Sequence, residues 1–127
     1  MDVSFSSGLK VNVSFDGYTV ETDQPTAAGG EGTSPSPFKT FLASLAACSG
    51  YYVLKFCRSR EIPVDGVSLT LDTVYDKVEK RVSDVVVKIN LPADFPEQYR
   101  DAVVRAAGSC AIKKLIQDPP RFTITAE

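Results

Sequence analysis

The sequence contains no histidine and no tryptophan, and its 127 residues include only one methionine and three cysteines. Without histidine the chain cannot form a Ser-His-Asp triad, a Cys-His dyad or a histidine metal site. The cysteines, Cys48, Cys57 and Cys110, include no C-x-x-C pair of the kind that is typical of a structural zinc site. These absences exclude the common hydrolase triads, and we expect neither a metal nor a cofactor.

Clusters of positive charge are lacking as well. The chain has 14 Lys and Arg against 16 Asp and Glu, with a formal net charge of -2 and no run of five or more basic residues. Nucleic acid and anionic membranes are therefore not expected as partners. The longest uncharged stretch, residues 40–54, falls short of the roughly 20 apolar residues of a membrane span and predicts a buried helix instead.

The N-terminus has no basic region followed by an apolar segment, the pattern of a secretory signal. We therefore expect a cytoplasmic protein, and in the cytoplasm cysteines are mostly reduced thiols. Hydrophobic residues make up 43% and charged residues 24% of the chain, which is ordinary for a globular protein. Its length suits one hydrophobic core, so residues 1–127 are predicted to form a single domain.

Alternation of apolar and polar residues in steps of two predicts a β-hairpin near the N-terminus. Residues 11–15 form its first strand, and Asp16-Gly17 provides a two-residue turn into the second. A strand around residues 3–5 extends the hairpin to three strands. The segment 24–37 is rich in Gly, Pro, Ser and Thr, has no apolar period, and is predicted to be a loop.

Ser36-Pro37 indicates the start of a long helix, because serine caps free N–H groups and proline needs no donor at the first position. From Phe38 to about Arg58 apolar residues occupy nearly every face, which is typical of a central helix that is buried on all sides. A chain of this length has few other elements to cover such a helix. We therefore predict a homodimer whose two copies share a core.

In the second half of the chain, apolar and polar residues first alternate in steps of two, as in strands, and then follow the spacing of a helix. An Asp94/Glu97 pair resembles a capping box, Gly108 ends the helix that follows it, and Ser109 is predicted to cap the next helix. The order βββ-α-ββ-αα-β has no βαβ period, so the predicted fold class is α+β. The predicted elements are strands at 67–75 and 82–91, an amphipathic helix ending at 108, a short helix at 110–117 and a last strand at 122–126.

Thiols are the candidates for chemistry. Cys110 lies in the first turn of a predicted helix with Lys113 and Lys114 one turn on, and both features favour a thiolate. Cys48 lies in the middle of the long helix, where burial alone makes it an apolar filler. Cys57 lies about 13.5 Å further along that helix and on its opposite side, so it cannot bridge to Cys48 and is predicted to be a packing residue or an exposed thiol.

Three segments together carry a family resemblance: GGEGTSPSP at 29–37, FLASLAAC at 41–48 and AAGSCAIKK at 106–114. Across essentially the whole chain the pattern resembles the OsmC/Ohr family of thiol peroxidases. The resemblance implies an intertwined homodimer with active sites at the subunit interface, Cys48 as the peroxidatic thiol and Cys110 as the resolving thiol. It implies reduction of organic hydroperoxides, with lipoyl or other dithiols restoring the enzyme.

Two charged residues of that family are missing. Active members carry a glutamate just after the proline that opens the long helix, where this chain has Phe38, and an arginine in the N-terminal β region, whereas the first arginine here is Arg58. In the family this pair holds the thiolate and orients the peroxide, and a lysine such as Lys10 lacks the planar bidentate donors of arginine.

Three hypotheses therefore stay open. The first is a redox protein that uses Cys48 and Cys110. The second is a binding protein that holds a small hydrophobic molecule in a cleft near Cys48, lined by Phe38, Phe41 and Tyr52. The third is a structural homologue without either activity. Glu31, in the glycine-rich segment, is interpreted as a solvated loop carboxylate, because the segment has neither G-x-G-x-x-G nor the Lys-Ser/Thr of a phosphate-binding loop.

Overall fold

The computed structural model describes residues 1–126, and its elements confirm the α+β class. The chain divides into two compact units, Met1–Ala43 and the segment from Ser44 onward, and the boundary falls within the long helix. The single-domain organisation stays a prediction.

An antiparallel sheet of three strands forms most of the first unit: β1 (Asp2–Phe5), β2 (Val11–Phe15) and β3 (Tyr18–Thr22), in that order. The turn between β2 and β3 consists of Asp16 and Gly17, and both have positive φ angles, 49° and 80°. Aspartate tolerates this left-handed conformation and glycine adopts it freely, which is why the pair favours a tight hairpin turn. The three-stranded prediction is confirmed.

The loop after β3 is organised around one buried carboxylate. Asp23 is 1% exposed and accepts hydrogen bonds from the backbone N–H groups of Gln24 (2.7 Å), Glu31 (3.2 Å) and Thr33 (3.1 Å), and from the Thr33 hydroxyl (3.1 Å). These donors, with the Thr33 N–H first, hold the pKa of Asp23 below its ordinary value against the opposing effect of burial. Gly30 must be glycine, because a Cβ there would lie 1.9 Å from the Gln24 carbonyl oxygen.

The long helix, α1, spans Pro37–Arg58. The Ser36 hydroxyl accepts the Lys39 N–H at 3.3 Å, so the predicted serine cap and proline start are confirmed. By length and composition alone α1 could cross a membrane, a property that core helices of water-soluble proteins share. Its buried residues follow one side of the helix, whereas several aromatic side chains are at least 40% exposed in the single chain. The buried set is Leu45, Ser49, Val53, Phe56 and Cys57, and the exposed aromatics are Phe38, Phe41 and Tyr51.

The second unit contains the rest of α1, a β-hairpin and two short helices. The hairpin strands are β4 (Ser68–Asp76) and β5 (Arg81–Asn90), paired antiparallel with a bulge at Val74/Tyr75. Helix α2 spans Arg100–Ala107, and helix α3 spans Ala111–Gln117. The buried core joins α1, α2 and the segments between them; it consists of Val53, Phe56, Cys57, Ile62, Phe95, Val103 and Ala107.

Three local predictions differ from the structure. Before α2, the chain forms a 3-10 turn at Glu97–Tyr99 whose N-cap is Pro96, so Asp94 does not act as the cap. The cap of α3 is Cys110 rather than Ser109. The predicted last strand is not formed: residues 119–126 have no regular secondary structure, since a strand needs a second backbone to pair with and none lies beside them among residues 1–126.

Candidate functional site

The two cysteines that the sequence singles out meet in the second unit. Cys48 lies in the middle of α1 and is partly exposed, while Cys110 lies at the start of α3 and is fully buried. The Cys110 thiol donates a hydrogen bond to the Cys48 sulfur, and both residues are free thiols. The structure therefore brings together two sulfurs that are far apart in the sequence.

Their environment favours Cys48 as the anion. The hydrogen bond from the Cys110 thiol is the largest influence that lowers the pKa of Cys48, and burial opposes it. The backbone N–H groups of Ile112 and Ala111, at the start of α3, lower the pKa of Cys48 further. From the sequence, the N–H groups at this helix end are predicted to stabilise the Cys110 thiolate. In the structure, two of them instead lower the pKa of Cys48.

The local sequence explains why the start of α3 lies against the sulfurs. Cys110 has a non-helical backbone (φ -51°, ψ 122°), and its Sγ accepts the Lys113 N–H at 3.5 Å, so the thiol occupies the place of a serine or aspartate cap. Gly108 permits the tight connection from α2, because a Cβ there would lie 3.2 Å from the Arg105 carbonyl oxygen. The Lys113 N–H at the start of α3 is thus satisfied by a sulfur atom.

A cavity of about 270 Å³ in the second unit, lined in part by Ser49, was missed by sequence reasoning. Ser49, the next residue along α1, is 5% exposed and lines this cavity. The alternation Val85, Val87, Ile89 in β5 was the available signal, since it aligns three apolar side chains on one face. The remaining lining residues are Val104, Ala107, Gly108 and Lys113.

The cleft residues predicted from the sequence do not line this cavity. Phe38 and Phe41 stack on each other, with ring centroids 6.4 Å apart and planes inclined by 28°. Tyr52 meets Tyr51 edge to face at 5.3 Å. The apolar lining of this cavity therefore comes from β5 and α2 rather than from these aromatic side chains.

Cys57 has a different environment from the other two thiols. It is 0% exposed, belongs to the hydrophobic core, and burial alone raises its pKa. A thiol of this kind is inert, because the thiolate is the reactive form and an apolar environment disfavours it. Of the two interpretations drawn from the sequence, packing residue and exposed thiol, the structure supports the packing residue.

In the first unit, Glu31 is a solvent-exposed loop carboxylate, as predicted, and it has a charged partner. Lys10 forms an ion pair with it, and this hydrogen bond is the main influence that raises the pKa of Lys10. The Glu31 backbone is in turn fixed by Asp23. Residues 1–126 contain no group of three or more His, Cys, Asp or Glu side chains that is arranged to hold a metal ion.

Comparison with known families agrees with this fold. The family model described as OsmC-like protein matches residues 30–125, which is most of the chain and includes both Cys48 and Cys110. The chain therefore belongs to the OsmC-like family. A comparison with curated proteins gives no match.

Solved structures share the fold. A protein from Psychrobacter arcticus 273-4, described as an osmotic stress induced and detoxification response protein, is 23% identical over 89% of this chain and 84% of its own, with a TM-score of 0.75. An organic hydroperoxide resistance protein OsmC from Legionella pneumophila is 22% identical over 91% and 86%, with a TM-score of 0.61.

A Vibrio cholerae O1 biovar eltor protein, described as an organic hydroperoxide resistance protein with captopril bound in one of its active sites, is 18% identical over 92% and 83% of the two chains. Its TM-score is 0.59. At these identities the likeness establishes a shared fold.

Proposed function

We propose that this protein is a cytoplasmic thiol peroxidase that reduces organic hydroperoxides, with Cys48 as the attacking thiol and Cys110 as the resolving thiol. The observation that carries the proposal is the contact between the two sulfurs, in which Cys48 receives the Cys110 S–H and two backbone N–H groups. A thiolate is the nucleophile in peroxide reduction, and these donors stabilise the thiolate form of Cys48. The names of the Legionella and Vibrio structures give the proposal its substrate class.

The exposure of the two residues supports the proposed order of reaction. Cys48 is partly exposed, so a peroxide can reach its sulfur, whereas Cys110 is fully buried beneath the start of α3. The Cys48 thiolate attacks the terminal peroxide oxygen of ROOH, the O–O bond breaks, and the leaving alkoxide takes a proton to give ROH. Cys48 is then a sulfenic acid.

The second step forms a disulfide. The Cys110 sulfur attacks the Cys48 sulfenic acid, the S–O bond breaks, and the Cys110 proton leaves with the hydroxide as water. Rapid capture by a neighbouring thiol protects the sulfenic acid from further oxidation. A dithiol, as the reductant class implied by the family, then reduces the Cys48–Cys110 bond through a mixed disulfide and restores both thiols.

This chain lacks the arginine and the glutamate of the family, so other groups must stabilise the Cys48 thiolate. Phe38 stands where the glutamate is expected, and the chain has no arginine before Arg58. In this chain the Cys110 thiol and the N–H groups of Ala111 and Ile112 favour the anionic form of the Cys48 sulfur. Backbone N–H groups are always protonated, so the site needs no ionised partner to favour the thiolate.

A homodimer is part of the proposal. In the single chain Phe122 is 83% and Ile124 is 97% exposed, and Tyr51 in α1 is 56% exposed. Apolar surface of this extent favours burial against a second copy. Sedimentation equilibrium at micromolar concentration is expected to give twice the mass of 13.7 kDa for one chain, and a mass of one chain would contradict it.

Turnover and mass mapping test the chemistry. With cumene hydroperoxide and a dithiol, the wild-type protein is expected to turn over, and peptide mapping of the peroxide-treated protein is expected to show a Cys48–Cys110 bond. Cys48→Ser removes turnover, and Cys110→Ser is expected to retain a trappable sulfenic acid at Cys48. Cys57→Ala is the matched control and retains turnover. Neither turnover nor the bond in the wild type would contradict the proposal.

The cavity beside Ser49 favours a second function, binding of a small apolar molecule without turnover. Three apolar side chains of β5, with Ser49 and Lys113 as polar residues of the lining, give the mixture of apolar wall and few polar groups that is typical of ligand pockets. Thermal unfolding in the presence of a panel of fatty acids and aromatic compounds tests this function. A melting temperature unchanged across the whole panel would count against it.

A further inference from the structure

A second pocket, of about 410 Å³, lies in the second unit where the chain leaves the C-terminal end of α1. Two of its lining residues, Ile62 and Phe95, are 8% and 4% exposed and belong to the core of the same chain. Neither reactive thiol lines this pocket, and neither does any residue of the surface assigned above to the homodimer. Its lining consists of Arg60, Glu61, Ile62, Pro63, Asp65, Pro92, Asp94, Phe95, Pro96, Gln98 and Tyr99.

The guanidinium group of Arg60 is held in place by aromatic rings. Its central carbon lies 3.9 Å from the centroid of the Phe56 ring and 5.6 Å from that of Tyr99, both of which are cation–π distances. Its Nη1 donates a hydrogen bond to the Ser59 hydroxyl at 3.0 Å. A guanidinium is planar and presents paired N–H donors that fit the two oxygens of a carboxylate. Arg60 is therefore a fixed cation at the edge of the pocket.

Opposite charges line the same pocket without neutralising Arg60. Three carboxylates, those of Glu61, Asp65 and Asp94, are among the lining residues. The ion pairs within residues 1–126 all involve other residues: Lys10–Glu31, Arg81–Glu79, Lys88–Asp72 and Arg100–Glu97. The pocket thus offers one cation and three anions to a ligand, and the anions are in excess.

Glu61 occupies a position that the backbone would give to glycine. Helix α1 ends in a Schellman motif, in which the Ile62 N–H donates to the Cys57 carbonyl at 3.0 Å and the Glu61 N–H donates to the Arg58 carbonyl at 3.3 Å. The left-handed residue of this motif is usually glycine or asparagine, whereas Glu61 has a φ of 55°. The helix end gains nothing from a carboxylate here, but the pocket gains a negative charge.

We propose that this pocket binds a free amino acid with a basic side chain, whose carboxylate pairs with Arg60 and whose two cationic groups meet the three carboxylates. A ligand with only negative charge would be repelled by the carboxylates, and a diamine would leave the guanidinium unpaired. A basic amino acid carries one anionic and two cationic groups, in the same direction of excess as the pocket. Its methylene stem can pack against the ring of Tyr99 and the prolines.

Isothermal titration calorimetry at low ionic strength tests the site on the full-length protein, with L-lysine as the probe. We expect one L-lysine to bind per chain. Cadaverine has the same stem and both amino groups but no carboxylate, and it is expected to bind at least about tenfold more weakly, because the charge-assisted pair with the guanidinium is lost. L-glutamate, with a second carboxylate instead of the second cation, is expected not to bind.

Variants of the two adjacent charged residues give opposite signatures. Arg60→Gln is expected to weaken L-lysine by at least about tenfold without weakening cadaverine, because only L-lysine has a carboxylate to lose. Glu61→Gln is expected to weaken both ligands. Arg58→Gln is the matched control, since Arg58 carries the same charge at the end of α1 but does not line the pocket.

Glu61→Gly separates binding from folding. Glycine adopts a φ of 55° without strain, so this variant is expected to have a higher melting temperature than the wild type and weaker binding of L-lysine. A residue with only a structural role would not show that combination. Because this variant is expected to gain stability, the test does not depend on whether Arg60→Gln folds.

Several results would overturn the proposal. They are no heat of binding with L-lysine at about 10 mM, equal affinity for cadaverine, tighter binding of L-glutamate, or unchanged affinity in Glu61→Gly. None of these measurements involves the thiols or a peroxide. The amino-acid site and the peroxidase activity can therefore fail independently of each other.

Discussion

Oxidation of the Cys48–Cys110 pair is expected to stabilise the folded protein against global unfolding. The bond closes a loop of about 60 residues, and the chain-entropy relation for such a loop gives about 4 kcal/mol of stabilisation through restriction of the unfolded chain. Loss of the hydrogen bonds to the Cys48 thiolate subtracts from this figure, so the net gain is expected to be about 2–4 kcal/mol.

Urea unfolding of the reduced and oxidised proteins measures this gain. For an m-value of about 2 kcal/mol per M, a net gain of 4 kcal/mol moves the midpoint by about 2 M. The experiment is best made in a Cys57→Ala background, because the third thiol would otherwise exchange with the disulfide in the unfolded chain. Cys48→Ser in the same background is the control and is expected to show the same midpoint with and without oxidant.

An oxidised protein that is no more stable than the reduced one would refute the reasoning. It would mean that closing the bond strains the folded protein around α1 and α3, and that this strain costs as much free energy as the restriction of the unfolded chain contributes.

Three further predictions follow from single side chains. Replacing Cys110 by alanine removes the main hydrogen-bond donor to the Cys48 thiolate, so the pKa of Cys48 is expected to rise and the pH profile of peroxide consumption to move to higher pH. Thiolate absorbance measured against pH reports this pKa. An unchanged profile would contradict the assignment of Cys110 as the donor. Cys57→Ser places an unpartnered hydroxyl in the core and is expected to cost about 1–3 kcal/mol in urea unfolding with turnover per folded molecule unchanged. Val103→Ala, at a position 0% exposed, is expected to cost about 2–3 kcal/mol, whereas Val104→Ala, at a neighbour 57% exposed, stays within about 0.5 kcal/mol; equal losses would mean that α2 packs by its other face.

Local patterns in the sequence predict most of the fold. Asp16-Gly17 forms the tight turn, Ser36 and Pro37 start α1, and the alternating segments form the two hairpins, because each of these features depends on residues close together in the chain. Element ends were harder to predict. The cap of α3 is a cysteine sulfur, which is a weaker acceptor than the neighbouring Ser109 hydroxyl, and only the tertiary contact with α1 explains that choice.

The candidate site could be predicted only in part. The sequence supplied Cys48 and Cys110 as candidates, but their contact depends on how α3 folds back against α1, and no spacing rule contains that information. For the same reason the sequence does not predict that the N–H groups of Ala111 and Ile112 act on Cys48, while that of Lys113 bonds Cys110. The last strand, predicted from Phe122 and Ile124, is not formed in the single chain, because alternation indicates a capacity for pairing and not the presence of a partner.

Because Cys57 is buried, the reaction of its thiol with a reagent reports opening of the core. Once the other two sulfurs are joined, one thiol remains in each chain, and it becomes reachable only when the packing around Val53, Phe56 and Val103 separates. The rate at which a thiol reagent modifies that single group therefore counts how often the interior opens under native conditions. Cys57, nine residues after Cys48 in the same helix, can therefore serve as a built-in probe of how often the core opens.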